Sequence, residues 1–307
     1  MLFAGVPLPA RGVSLIVGAA KSGKTLLAVQ EAVAIARGSA LFGCYPVLQR
    51  GAAMIVEQDD PDGATSIARV LRLAGVTPEV PLYVVPRLRI GFGSEFCDFL
   101  AKQILERSLR LVILDSYTAL RRAHGNGIDI VKAEQNEMVL LDELAKRTQC
   151  ALQVIHHTSN GSAALDWSEK AAGTFAMSAA TEAQIYVARF AELDAAKPER
   201  LIRIRGRHAG DTEMVLRFRA ETLDYVQVLE GGAAALYPLV VQIGTVFGNR
   251  PFSPKELTQA IGVSRATSHR YIDRLHEAGV LRKEGFGSYL LVRDQLAWLA
   301  DRDSPIC

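Results

Sequence analysis

A chain of 307 residues, 49% of them hydrophobic, is long enough to bury one large core or two smaller ones, which excludes wholesale disorder. Its 35 basic and 33 acidic residues leave a formal charge of +2, so any contact with nucleic acid must come from local clustering. Cys44, Cys97, Cys150 and Cys307 share no metal-like spacing and read as reduced thiols. No apolar run approaches the roughly 18–20 residues that span a bilayer, so the expectation is a cytoplasmic protein with no membrane partner.

Strand-length apolar runs recur at 13–18 (VSLIVG), 52–57 (AAMIVE), 82–86 (LYVVP), 109–115 (LRLVILD) and 151–157 (ALQVIHH). Helical patterns separate them: TLLAVQEAVAIARG, DGATSIARVLRLAG, SEFCDFLAKQILERS and VKAEQNEMVLLDELAKRT. Strand alternating with helix predicts a parallel sheet covered on both faces. After about residue 180, runs at 182–190, 200–206, 214–220 and 223–230 follow without helices and predict an antiparallel continuation. EGGAAA at 230–235 then breaks the pattern. It reads as a flexible linker, which divides the chain into residues 1–230, a linker at 231–236 and a small domain at 237–307.

Residues 18–25, GAAKSGKT, fit G-x-x-x-x-G-K-[ST] between a strand and a helix, the context that motif requires. Backbone N–H groups and the helix N-terminus make such a loop an anion site. Gly18, Ala19, Ala20, Lys21, Ser22, Gly23, Lys24, Thr25 and Leu26 are therefore expected to hold ATP. Lys24 would reach its terminal phosphates. Thr25 and Asp115 would hold Mg²⁺. Asp115 ends the run LVILDSY, and Ser116 follows it where many ATPases carry a water-activating glutamate. The second strand offers a substitute. MIVEQDDP puts Glu57 at the carboxyl end of an apolar strand, where a carboxylate can take a proton from water in line with the γ-phosphate. Asp59 and Asp60 read as caps of the next helix.

An acid on the strand after the P-loop helix, together with a strand ending Asp-Ser, resembles the RecA/DnaB class of P-loop ATPases. Within it the chain is most similar to the RepA-like hexameric helicases of plasmids and mobile elements. The matching segments are IVGAAKSGKT, VEQDDP, LVILDSYTALRRAHG, VIHHTSNGSAA and RIRGRHAGD, in the family's order over about residues 1–230. The resemblance implies an α/β fold with a RecA-like core, mostly parallel with an antiparallel extension. It also implies hydrolysis at subunit interfaces, a hexameric ring and a role in DNA replication.

The resemblance makes His156, with His157 adjacent, the sensor of the γ-phosphate; a satisfied histidine at a sheet edge is the other reading. Neighbours on a strand point to opposite faces, which argues against one metal between the two rings. Arg205 and Arg207 would share a strand face. The resemblance makes Arg207 the finger that reaches the next subunit's γ-phosphate. Relatives carry Lys-x-Arg there, so arginine at 205 departs from the pattern. Binding of nucleic-acid phosphates, or plain solvation of an edge strand, stays open for both.

Relatives line their central channel with two loops that track single-stranded DNA. Here the equivalents are 118–129, with Arg121 and Arg122, and 158–173, with Lys170 and Trp167. A plain solvated loop is the alternative for the first pair. The segment 252–292 looks like a winged helix-turn-helix. Arg265, His269 and Arg270 would face the major groove of duplex DNA, and Arg282 and Lys283 would face phosphates. Docking of a protein is the other reading, and minimal RepA-like relatives generally lack this appendage. Three whole-protein readings follow: a DNA helicase or translocase, a RecA-paralogue-type repair or recombination accessory ATPase, and an ATP-gated DNA-binding regulator.

Overall fold

The computed structural model describes residues 1–60, 62, 64–121, 130–157, 177, 180–190 and 198–292. The alternating runs form β1 (Gly12–Gly18), β2 (Ala52–Glu57), β3 (Leu82–Pro86), β4 (Leu109–Asp115), β5 (Ala151–His157) and β6 (Ala183–Ala188). The helix-free part forms β7 (Glu199–Gly206), β8 (Ala209–Arg219) and β9 (Asp224–Glu230). All nine join one sheet in the order β3-β2-β4-β5-β1-β6-β7-β8-β9. β1 lies near its centre and every one of its residues is buried, as an unbroken apolar run requires.

The antiparallel part begins one strand later than expected. β6 still runs parallel to β1, and the direction reverses only at β7. Parallel neighbours need a crossover, and the chain between β5 and β6 is long enough to make one.

One face of the sheet is covered by α1 (Lys24–Arg37), α2 (Thr65–Leu73) and the apolar N-terminal residues Leu2, Phe3, Val6 and Leu8. The other face is covered by α3 (Ser94–Arg107), α4 (Tyr117–Leu120) and α5 (Ile130–Thr148), through Phe96, Leu100, Tyr117, Met138 and Leu141. Among the described residues no helix is long and apolar enough to cross a membrane.

The stretch expected as a flexible linker is a 3-10 helix, Gly231–Leu236, with Ala233 and Ala234 buried. Small side chains here permit close approach rather than freedom. Beyond it lie α6 (Tyr237–Phe247), α7 (Pro254–Ile261), α8 (Arg265–Glu277) and an antiparallel hairpin of β10 (Leu281–Gly285) and β11 (Ser288–Leu291). Ser253 and Glu256 form a capping box at the start of α7, and the Ser264 hydroxyl accepts from Thr267 N–H at the start of α8. One apolar cluster runs from Leu201, Val215 and Leu229 of the sheet into Tyr237, Val240, Leu257 and Leu275. The Tyr237 hydroxyl donates to Glu199 Oε1 at 3.0 Å, and its ring stacks on Phe190 at 5.4 Å. Arg217 Nη2 lies 3.3 Å from the same carboxylate, so the buried Glu199 is paired.

A second buried acid, Glu31 of α1, accepts a hydrogen bond from Gln153 Nε2 of β5. Burial pushes its carboxyl up to about 8, against a partial pull down by that amide. Gln153 Oε1 has no partner, which suits a protonated Glu31 that carries an O–H. A carboxyl protonated in the fold and ionised when unfolded stabilises fully below its unfolded pKa of about 4.5. That contribution falls by about 1.4 kcal/mol per pH unit up to about 8. In denaturant melts at pH 5 and pH 8, Glu31→Gln is expected to lose less stability across that interval than wild type. Parallel losses would contradict the assignment.

Candidate active site

The phosphate loop is held by close approaches that only glycine allows. A Cβ on Gly18 would stand 2.3 Å from the Val187 carbonyl oxygen of β6. Gly23 has φ of 101°, and a Cβ there would stand 2.0 Å from the Tyr225 hydroxyl of β9. Lys24 Nζ donates to the carbonyl oxygens of Gly18 (3.0 Å) and Ala19 (2.9 Å), curled back over its own loop. Burial pulls its ammonium down to about 8, while Asp115 and Asp59 push the other way. Thr25 Oγ1 donates to Asp115 Oδ2 at 2.5 Å.

The β2–β4 register sets Glu57 directly beside Asp115. Glu57 is buried, and its Oε1 accepts from the N–H groups of Asp59 (2.7 Å) and Asp60 (2.9 Å). Burial raises its carboxyl to about 7; the Asp115 charge adds to that and the two N–H bonds offset it in part. Burial also raises Asp115, with the Thr25 hydrogen bond opposing. The oxygen donors of Thr25 and Asp115, crowded by the Glu57 and Asp59 charges, fit a hard divalent cation, whose charge would relieve that repulsion.

Strand parity separates the two histidines. Ile155 lies in the core beneath α1, so His157 shares that face, and Val154 lies in the opposite core with His156. His157 Nε2 stands 3.1 Å from Asp59 Oδ2 beside the phosphate loop. His156 meets the Tyr117 ring edge-on at 6.1 Å, and burial lowers its basicity. The expected sensor, His156, therefore faces away from the loop, and His157 takes the place beside it.

A pocket of about 350 Å³ opens next to Lys24 and Thr25. Its apolar wall comes from Leu26, Val29, Ile67, Val70, Phe218 and Leu223. Sequence reading found Leu26 alone. The others come from α1, α2, β8 and the turn before β9, and no local pattern ties those segments together.

Arg205 and Arg207 do not share a strand face. β7 ends at Gly206, and Arg207 sits exposed in the turn before β8. Arg205 Nε pairs with Asp211 at 3.2 Å. The turn lies at the amino edge of the parallel strands: Gly206 pairs with Ala183, and Ala183 with Ser14. That is about 13 Å along the strands from the chain's own phosphate loop, beyond the reach of an arginine side chain.

Arg121 departs from the expectation of a DNA contact. Its guanidinium donates to Glu134 Oε1 at 2.6 Å and covers the Tyr117 ring at 5.4 Å, so it is engaged inward. Arg122, Lys170 and Trp167 lie outside the described residues. Arg265, His269, Arg270, Arg282 and Lys283 are all exposed, with Arg282 Nε bonded to Glu284 Oε1 at 2.8 Å. Phe286 stands fully exposed at the hairpin turn.

This sheet order, with a glycine-rich loop between the central strand and α1 and a strand-end aspartate on the loop's threonine, defines a RecA/DnaB-like P-loop ATPase core. The chain belongs to the AAA_25 family of AAA domains, whose model matches residues 4–163. The solved ATPase domain of a DnaB-like helicase shares the fold with a TM-score of 0.52 at 10% identity, over 71% of this chain and 84% of that one. With 315 solved chains similar in structure, the fold alone does not choose a function. No curated protein matches the sequence.

Gly23→Ala adds both a strained left-handed residue and a clash with Tyr225. Together these are expected to cost about 2–4 kcal/mol in chemical denaturation and to abolish nucleotide binding in calorimetry. An unchanged midpoint with intact binding would contradict the packing described.

Proposed function

We propose that the protein is a Mg²⁺-ATP-hydrolysing motor that acts on single-stranded DNA as a ring, a RepA-like helicase or translocase. The observation that carries this reading is the position of Glu57: buried, poised near neutrality, and one strand from the Thr25–Asp115 pair. The loop N–H groups and Lys24 bind the phosphates, and the apolar pocket takes the base. Thr25 and Asp115 hold Mg²⁺, which neutralises developing charge on the phosphates when bound. Glu57 takes the proton of the attacking water as its oxygen bonds to the γ-phosphorus and the bond to the ADP oxygen breaks. His157 reports the γ-phosphate to the chain that follows β5.

Arg207 acts on the neighbouring subunit's nucleotide, because its own lies out of reach. Arg205, tied to Asp211, positions the hairpin. We read α7, α8 and the β10–β11 hairpin as a winged helix-turn-helix, with Arg265, His269, Arg270 and Lys283 toward duplex DNA and Phe286 available to stack at the wing tip. One observation favours the ATP-gated regulator as a second reading: the C-terminal helices share a core with β7–β9, the strands that hold the phosphate loop.

ATP turnover is expected to rise at least tenfold with single-stranded DNA at a stated salt concentration and to vanish in Lys24→Ala. Flat turnover with sequence-specific duplex binding would instead establish the regulator, and stimulation without unwinding of a fork would establish the accessory ATPase. Glu57→Gln is expected to keep ATP bound while turnover falls about 10²–10⁴-fold; surviving turnover would remove Glu57 as the base. Arg207→Ala should bind nucleotide yet lose turnover, and mixing it with Glu57→Gln subunits should restore part of the rate. No restoration at any ratio would refute action in trans.

A further inference from the structure

Two arginines far from the motif grip the phosphate loop from outside. Arg189 Nη2, just past β6, donates to the Lys21 carbonyl oxygen at 2.9 Å. Arg200 Nε, on β7, donates to the Ser22 carbonyl oxygen at 3.0 Å. The Arg200 guanidinium also meets the Tyr225 hydroxyl that packs on Gly23. Both arginines lie beyond residue 163, outside the family match.

A loop of this kind binds anions only while its N–H groups converge. A peptide unit that rotates exchanges its N–H for its C=O, and the cradle then presents an acceptor to the phosphate. Lys21 has φ of 59°, a left-handed conformation that costs a non-glycine residue roughly 1–2 kcal/mol and persists where the surroundings enforce it. The enforcing contact falls on the Lys21 carbonyl itself.

We propose that Arg189 and Arg200 are positioning residues for the phosphate loop: they hold the Lys21 and Ser22 carbonyls outward so that the loop N–H groups stay aimed at the phosphates. This rests on the ATP-site reading above. The arginines are themselves held in place. Their chain neighbours Phe190 and Glu199 both contact Tyr237, and Arg200 Nη1 donates to the Glu199 carbonyl at 2.8 Å.

Loop N–H groups act on the α- and β-phosphates, so their alignment governs how far ADP is preferred over AMP. The test is calorimetric titration of the full chain with Mg-ADP and with AMP. In Arg189→Gln/Arg200→Gln the ADP-over-AMP preference is expected to fall at least tenfold, with AMP affinity within about threefold of wild type. Arg189→Gln alone changes an exposed side chain, so it tests the idea even if the double variant folds poorly; it should lower the preference at least threefold. Arg200→Lys should recover part of the loss. Arg203→Gln is the control. It is paired with Glu213 at 2.7 Å, away from the loop, and should leave the preference unchanged. A preference within twofold of wild type in both glutamine variants, or an equal loss in the control, overturns the proposal. A wild type with no preference for ADP overturns the ATP-site reading, and the brace with it.

Discussion

The structure depends on one requirement: the loop between Gly18 and Lys24 must keep its N–H groups inward against a negative charge while its carbonyls point elsewhere. Many of the unusual contacts serve it. Gly18 lets β6 press against the loop, and Gly23 lets Tyr225 of β9 do the same. Gln30 of α1 exchanges two hydrogen bonds, at 2.7 and 2.8 Å, with the backbone of Tyr225, which ties the helix behind the loop to the edge of the sheet. The antiparallel extension is thus part of the nucleotide site as much as of the core. The same strands seat the C-terminal helices through Glu199, Arg217 and Tyr237.

The second constraint is electrostatic. Glu57, Asp59 and Asp115 crowd the carboxyl edge of the sheet beside one ammonium, Lys24, which burial makes less basic. Ionised acids packed this way repel one another, and the fold tolerates them where a cation or a proton relieves the strain. No acid follows Asp115 directly; the next residue is Ser116, fully buried. Glu57 offers a carboxylate from the adjacent strand because the β2–β4 register makes the two strand ends neighbours.

Local signals carried far in the sequence. The apolar runs and the helices between them were legible because each is a periodicity within one segment, and the phosphate loop because its residues are contiguous. What failed needed a partner from elsewhere. The parity rule said that His156 and His157 face apart, but only the packing of α1 says which face is which. The alanines after Glu230 read as flexible because small residues serve looseness and close packing equally. Arg121 read as a free cation because Glu134 meets it only once α5 folds back. The walls of the apolar pocket, and the arginines behind the loop, come from segments separated by more than a hundred residues.

Arg207 stands at the opposite edge of the sheet from the chain's own phosphate loop. On our reading it completes the site of a neighbouring subunit, so a lone chain is nearly inactive. The experiment that decides this is ATP turnover per subunit across a range of protein concentrations, with the molar mass followed by light scattering in the same samples. We expect turnover that is negligible for the monomer and rises in step with assembly. A substantial turnover per subunit that stays constant while the protein remains monomeric would refute completion in trans.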